Sequence, residues 1–201
     1  MLLNDKENKK KKILVLCTGN SARSIMAEAL FATMGENIFE AYSAGSNPTG
    51  KVNPFALEQI KHLDFSATPR SKSWDEFSGA DAFDIDIVVT VCGNAANEVC
   101  PVFPGQPKKV HWGLPDPAAE DGSDEQKREA FSVCFNVFKQ KIQELLFELE
   151  QNPNLDAYSV MSQMQASFAP LSESEKASTS TELAIGIGIG TDTGTEINEA
   201  I

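Results

Sequence analysis

Residues 12–35 constrain this chain more than any other stretch. Lys12 leads into Ile13-Leu14-Val15-Leu16. The run breaks into the polar segment Cys17-Thr18-Gly19-Asn20-Ser21-Ala22-Arg23-Ser24, and Ile25, Ala29 and Leu30 follow in helical spacing up to Gly35. An apolar run without alternation suits a strand covered on both faces. Gly35 is a natural helix stop, since glycine tolerates the backbone conformation that ends a helix. A buried strand, a short polar turn and a helix in that order demand a layered architecture, because the strand needs neighbours at its sides and cover above and below.

The rest of the chain can supply both. Ala41-Tyr42-Ser43-Ala44 reads as a second, weaker strand before the loop Gly45 to Val52. Asn53-Pro54 combines a capping side chain with proline at the first helical position, opening a helix to about Leu63. Ser73 and Glu76 have capping-box spacing for another short helix. Ile87-Val88-Val89-Thr90-Val91 is the clearest β-branched strand, and Lys109 to Trp112 is a fourth, shorter candidate. Ser123 with Gln126 is a second capping box. It opens a long helix to about Glu150, with Phe131, Cys134, Phe138, Ile142, Leu145 and Leu149 on one face. Strands alternating with helices predict an α/β fold in three layers, a parallel sheet with helices on both faces. Right-handed crossovers then bring every loop that follows a strand to the same sheet edge.

Charge and composition set the limits of that domain. The 201 residues carry 17 Lys+Arg against 29 Asp+Glu, a formal net charge of −12. This balance excludes a general nucleic-acid binder, which needs clustered cations to neutralise phosphates. No apolar run is long enough to span a bilayer. The start, MLLNDKENKKKK, lacks the apolar stretch of a signal peptide, so a cytoplasmic protein without membrane or nucleic-acid partners is expected. Residues 1–11 read as a flexible basic N-terminus and residues 12–150 as the folded domain. Residues 151–201 hold one basic residue, Lys176, against seven acidic ones, with Tyr158 and Phe168 the only aromatics. That composition predicts an acidic, disordered tail, too poor in apolar area to offset the entropy of ordering a backbone. A chain ending near Gln151 is therefore expected to fold and keep its activity.

The cysteines differ in role. Cys134 sits on the apolar face of the long helix and reads as a small buried hydrophobe. Cys17 ends the first strand, Cys92 ends the valine-rich strand, and Cys100 lies in the loop beyond it. Neither His62 nor His111 shows paired-ligand spacing, so no metal is expected. Three thiols at one sheet edge point instead to redox or nucleophilic chemistry. Five residues separate Cys17 from Arg23, which lets the loop curl around a tetrahedral oxyanion. The N–H groups of Thr18, Gly19, Asn20, Ser21, Ala22, Arg23 and Ser24 then face inward, and the following helix adds its positive end. Arg23 supplies a planar fork for two anion oxygens. The same field is expected to hold Cys17 as a thiolate well below the free-cysteine pKa, with Ser24 donating to it. Prolines on both sides of Asp116, in His111-Trp112-Gly113-Leu114-Pro115-Asp116-Pro117, stiffen a loop that can present one carboxylate as a proton donor to a leaving oxygen.

Cys17 to Ser24, extended by Met26-Ala27-Glu28, resembles the signature of the low-molecular-weight protein tyrosine phosphatases, and within that family the arsenate reductases built on its fold. Tyr42-Ser43-Ala44-Gly45, Val52-Asn53-Pro54, Val91-Cys92, Cys100-Pro101, His111-Trp112-Gly113 and Asp116-Pro117 extend the resemblance over residues 12–148. It implies a four-stranded parallel sheet flanked by helices. It also implies that Cys17 attacks arsenate with help from Arg23 and Asp116, that Cys92 displaces arsenite by forming a disulfide with Cys17, and that Cys100 carries the disulfide outward. An external thiol reductant, thioredoxin or glutathione with glutaredoxin, would complete the cycle of a monomeric enzyme with no tightly bound cofactor. Some members imply a monovalent cation near Asn20, Glu28 and Ser43. Two departures stand out: Ala22 replaces a second loop cysteine found in many members, and seven residues separate Cys92 from Cys100 where the best-known thioredoxin-coupled reductases have six.

The alternative function is a phosphatase that hydrolyses phosphate monoesters through a phosphocysteine, which needs only Cys17, Arg23 and Asp116. Against it, Pro117-Ala118-Ala119 follows the acid where eukaryotic members carry tyrosines that grip phosphotyrosine. A non-catalytic anion sensor would have no use for a nucleophile and an acid together.

Overall fold

A computed structural model describes residues 9–79, 81–93 and 101–168. Cys100, the beginning of the basic N-terminus and residues 169–201 lie outside that set. Four strands, β1 (Lys11–Cys17), β2 (Phe39–Gly45), β3 (Ile87–Thr90) and β4 (Lys108–His111), form a parallel sheet in the order β2-β1-β3-β4. The central place falls to β1, whose apolar run is buried on both faces as its lack of alternation requires.

The period of two divides the strand residues between two cores. Ile13, Val15, Ile87, Val89 and Val110 face α1 (Arg23–Met34), α2 (Pro54–Ile60) and α3 (Asp124–Gln151). Leu14, Leu16, Ala44 and Val88 face the other way, onto Phe77, Ile85 and Phe103. Among the described residues, a 3-10 turn at Trp74–Phe77 and adjoining loops cover that second face. Helix α1 is buried over nearly its whole girth between sheet and helices, which explains an apolar run without a polar stripe. Helix α3 keeps its expected face inward and starts at the full capping box of Ser123 and Gln126.

Several boundaries differ from the sequence reading for physical reasons. Strand β2 runs from Phe39, two residues before the apolar-looking stretch, because pairing with the whole of β1 extends it. Helix α2 stops at Ile60, where Leu63 N–H turns back to the Ile60 carbonyl. Near Ser73 only half a capping box forms. Ser73 accepts from Asp75 N–H, while Glu76 pairs with Arg70.

The largest correction concerns residues 151–168, expected in a disordered tail. Ala157–Met164 form a fourth helix, α4, and Ala157, Val160 and Met161 are buried against the sheet. Trp112, fully buried and stacked on Phe31, donates its indole N–H to the Met161 carbonyl at 3.1 Å. Lys108 pairs with Asp156 and lies over the Tyr158 ring. The acidic and polar residues that dominate the average composition of 151–201 fall mostly after this short apolar helix. Truncating at Gln151 would therefore strip cover from β4 and Trp112. Met161→Ala is expected to cost about 2–5 kcal/mol, the range for shaving a buried side chain, measured by urea unfolding. A chain cut at Gln151 should lose its cooperative melt.

Candidate active site

The loop after β1 is built around Asn20. This buried residue takes a left-handed conformation (φ 44°), which asparagine tolerates better than most side chains. Its Oδ1 accepts from Lys72 N–H at 2.8 Å, so its Nδ2 can only donate, and it does so to Ser24 Oγ at 2.9 Å and Ser43 Oγ at 2.8 Å. Ser24 accepts from Asn20, which leaves its own proton for the Cys17 sulfur 2.9 Å away. The Asn20 backbone N–H adds a second donor to that sulfur at 3.1 Å.

The loop's carbonyls are drawn outward. Thr18, Gly19 and Ser21 carbonyls accept from the N–H groups of Asn47, Thr49 and Asn53, and Ser71 Oγ donates to Gly19. With the acceptors satisfied outside, amide N–H groups are what the loop can offer within. β2 approaches closely enough that a Cβ on Gly45 would lie 2.4 Å from the Thr18 carbonyl, so only glycine fits there. Helix α1 starts at the end of the loop with no acidic residue in its first turn and no side-chain cap, whereas Asn53 caps α2 and Ser123 caps α3. Its first N–H groups remain donors for an anion.

Behind the loop lies a buried ion pair. Lys72 Nζ is 3.4 Å from Glu28 and 3.4 Å from Ser43, and Ser43 donates to Glu28. Burial pushes the Glu28 carboxyl up, against the pull of Lys72 and Ser43. The Lys72 ammonium thus supplies the positive charge beside Asn20, Glu28 and Ser43 where the family resemblance implies a monovalent cation. With that ammonium already on Glu28 and Ser43, these residues do not fit a second cation.

Arg23 reaches across to the loop after β4. One Nη donates to the Leu114 carbonyl at 2.8 Å, and the other pairs with Asp116 at 2.8 Å. The other Asp116 oxygen accepts from Ala118 N–H. Cys92, buried just beyond β3, lies 3.7 Å from Thr18 Oγ1 in the nucleophile loop. Cys134 is a core thiol, pushed up to about 12 by burial.

The structure therefore brings Cys17, Arg23, Asp116 and Cys92 to one edge of the sheet. Cys100 lies outside the described residues. The electrostatics of Cys17 differ from the expectation. Burial raises the thiol. The Ser24 hydroxyl and the Asn20 N–H pull it down, the charge of Cys92 adds to the rise, and Arg23 pulls down least. Arg23 spends its fork on Asp116 and Leu114, which explains its small effect on the sulfur. Sequence reasoning missed Lys72 altogether, because nothing local marks a lysine that meets residues 28 and 43 only in the fold. Gly45 was visible as the start of a loop and as part of the Tyr42-Ser43-Ala44-Gly45 stretch of the resemblance, but its contact with the Thr18 carbonyl was not.

A cysteine nucleophile cradled by strand-loop-helix amides, an arginine closing the loop and a facing carboxylate define a thiol-based enzyme site for tetrahedral oxyanions. The chain belongs to the low molecular weight phosphotyrosine protein phosphatase family, whose sequence model matches residues 12–155. It is similar to the arsenate reductase of Halalkalibacterium halodurans, 40% identical over 61% of this chain and 85% of that protein. The arsenate reductase of Staphylococcus aureus is 37% identical over 65% of this chain and 97% of its own length. A solved arsenate reductase in its phosphate-binding state superposes with a TM-score of 0.54 at 28% identity, over 69% of this chain and 98% of that one.

Two outcomes follow from the site. Alkylation of Cys17 followed against pH should give a midpoint above that of a free cysteine. It should rise further in Ser24→Ala, which removes the leading stabilising donor, and fall in Cys92→Ser, which removes a repelling charge. Lys72→Met leaves Glu28 buried without a counter-charge and should cost about 3–5 kcal/mol at neutral pH. Because the carboxyl pKa is raised in the folded state, the variant should regain stability as acidification protonates Glu28. Urea unfolding at neutral and mildly acidic pH checks this.

Proposed function

We propose that this protein reduces arsenate to arsenite through a thiol relay. The observation that carries the reading is a second thiol, Cys92, beside the loop that holds Cys17. Hydrolysis would have no use for it.

Arsenate binds in the Cys17–Arg23 loop, and Arg23 turns its fork from Asp116 and Leu114 to the oxyanion, freeing Asp116 to take up and deliver a proton. Cys17 Sγ forms a bond to arsenic, and one oxygen leaves as water with that proton. Cys92 thiolate then attacks Cys17 Sγ. The S–As bond breaks, its electron pair stays on arsenic, and arsenite departs as a Cys17–Cys92 disulfide forms. Cys100 attacks Cys92, which restores the Cys17 thiolate and moves the disulfide to Cys92–Cys100. An external dithiol or glutathione system, of thioredoxin or glutaredoxin type, reduces that pair, and no tightly bound cofactor takes part. The loop Thr18, Gly19, Asn20, Ser21, Ala22, Arg23 and Ser24 serves as the oxyanion site throughout. The relatives named arsenate reductase support this reading. No helix among the described residues is long and apolar enough to cross a membrane.

Phosphatase activity is the second reading, favoured by the family and by a site that already holds nucleophile, arginine and acid. The residues after Asp116 form a 3-10 turn, Pro117–Ala119, with no aromatic side chain to grip a phosphotyrosine ring. Single-turnover mixtures separate the two. Cys92→Ser should bind arsenate yet release no arsenite, whereas Cys100→Ser should release one equivalent and accumulate a Cys17–Cys92 disulfide seen by mass spectrometry. Normal arsenate reduction by Cys92→Ser would defeat the relay.

A further inference from the structure

We propose that helix α4 braces the loop that carries Asp116, so that Met161 and Gln165 are positioning residues for the acid, acting through Trp112 and His111. The inference rests on the reading of Asp116 as the proton donor.

β4 is an edge strand, so every second backbone N–H of it points away from the sheet. His111 N–H is one of these, and Gln165 Oε1 caps it at 2.9 Å. On the inner side, Trp112 N–H and Leu114 N–H bond to the Thr90 and Val91 carbonyls at 2.9 and 3.3 Å. The Trp112 ring is pinned twice more, by stacking on Phe31 and by its indole N–H on the Met161 carbonyl. Both residues that lead into the acid loop are therefore held from α4 and the turn that follows it.

What is fixed at residues 111–112 reaches Asp116 because little freedom lies between. Pro115 and Pro117 lock φ on either side of the carboxylate. Leu114 and Asp116 are the two groups that Arg23 touches from α1, so a shift of the loop's base would move the acid relative to Arg23 and Cys17. Helix α4 is itself well anchored, through Ala157, Val160 and Met161 in the core and the Lys108–Asp156 pair. The match to the family sequence model ends at residue 155, and α4, which begins at Ala157, lies beyond it.

The test uses full-length protein with Trp112→Phe, which keeps an aromatic ring against Phe31 but removes the indole N–H and part of the buried ring system, alone and with Gln165→Ala. Gln165→Ala alone changes only an exposed side chain, so it folds even if the tryptophan variant does not. Ile142→Val, a comparable trimming of the core on α3, is the control. Amide hydrogen exchange is read at Leu114, Ala118 and Ala119, together with Cys17 alkylation and the kcat and KM of arsenate reduction.

In the double variant these amides should exchange about tenfold faster or more, as expected when a loop gains a local opening. Gln165→Ala alone should show the same direction with a smaller change. Alkylation of Cys17 and KM should stay put, and kcat should fall several-fold. Exchange at the three amides unchanged from wild type, or changed equally by Ile142→Val, would overturn the brace. If wild-type protein fails to reduce arsenate, the reading of the reaction falls, while the exchange data still decide whether α4 holds the loop.

Discussion

The buried amide of Asn20 is the interaction on which the rest of the site depends. One side chain, held in a left-handed conformation, receives the Lys72 N–H and gives its two protons to Ser24 and Ser43. With its oxygen bonded to the Lys72 N–H, the amide turns its NH2 toward both serines. Ser43 passes its proton to Glu28, and Ser24 keeps its own proton available for Cys17. The nucleophile is thus oriented by a chain of bonds that starts behind the loop, out of reach of solvent. In a low-dielectric interior such a network is strong when complete and costly when any member is lost. The internal ammonium of Lys72 completes it.

The same site shows a balance between solvation and catalysis. Taking Cys17 out of water disfavours its thiolate, and the surrounding donors work against that penalty without overcoming it while Arg23 is engaged elsewhere. In the proposed reaction an incoming oxyanion would take over the fork of Arg23 and release Asp116, so that one guanidinium, which here contacts the acid loop, would couple binding to activation.

Much of this was legible in the sequence. The unbroken run Ile13–Leu16 predicted the central strand, because only burial on both faces tolerates four consecutive apolar residues. Ser123 and Gln126 marked the start of the long helix, and the flanking prolines marked Asp116 as a presented carboxylate, which the fold brings to Arg23, since each of those signals is local. The failures were non-local or averaged. Lys72 gains its role from residues far away in the chain. Helix α4 was hidden in a window whose later residues are acidic and polar, although Ala157, Val160, Met161 and Met164 already carry helical spacing and a buried tryptophan needs a partner for its N–H. The charge state of Cys17 depends on how deep the loop lies, which spacing alone does not encode.

The central claim is that the Cys17 loop delivers an oxyanion to a pair of thiols rather than to water. Counting free thiols in the wild-type protein after exposure to arsenate, with arsenite measured in the same sample and no external reductant, tests it most directly. The account predicts two thiols lost for each arsenite formed, and none lost on exposure to phosphate. An unchanged thiol count with no arsenite, from protein that hydrolyses aryl phosphates, would contradict it.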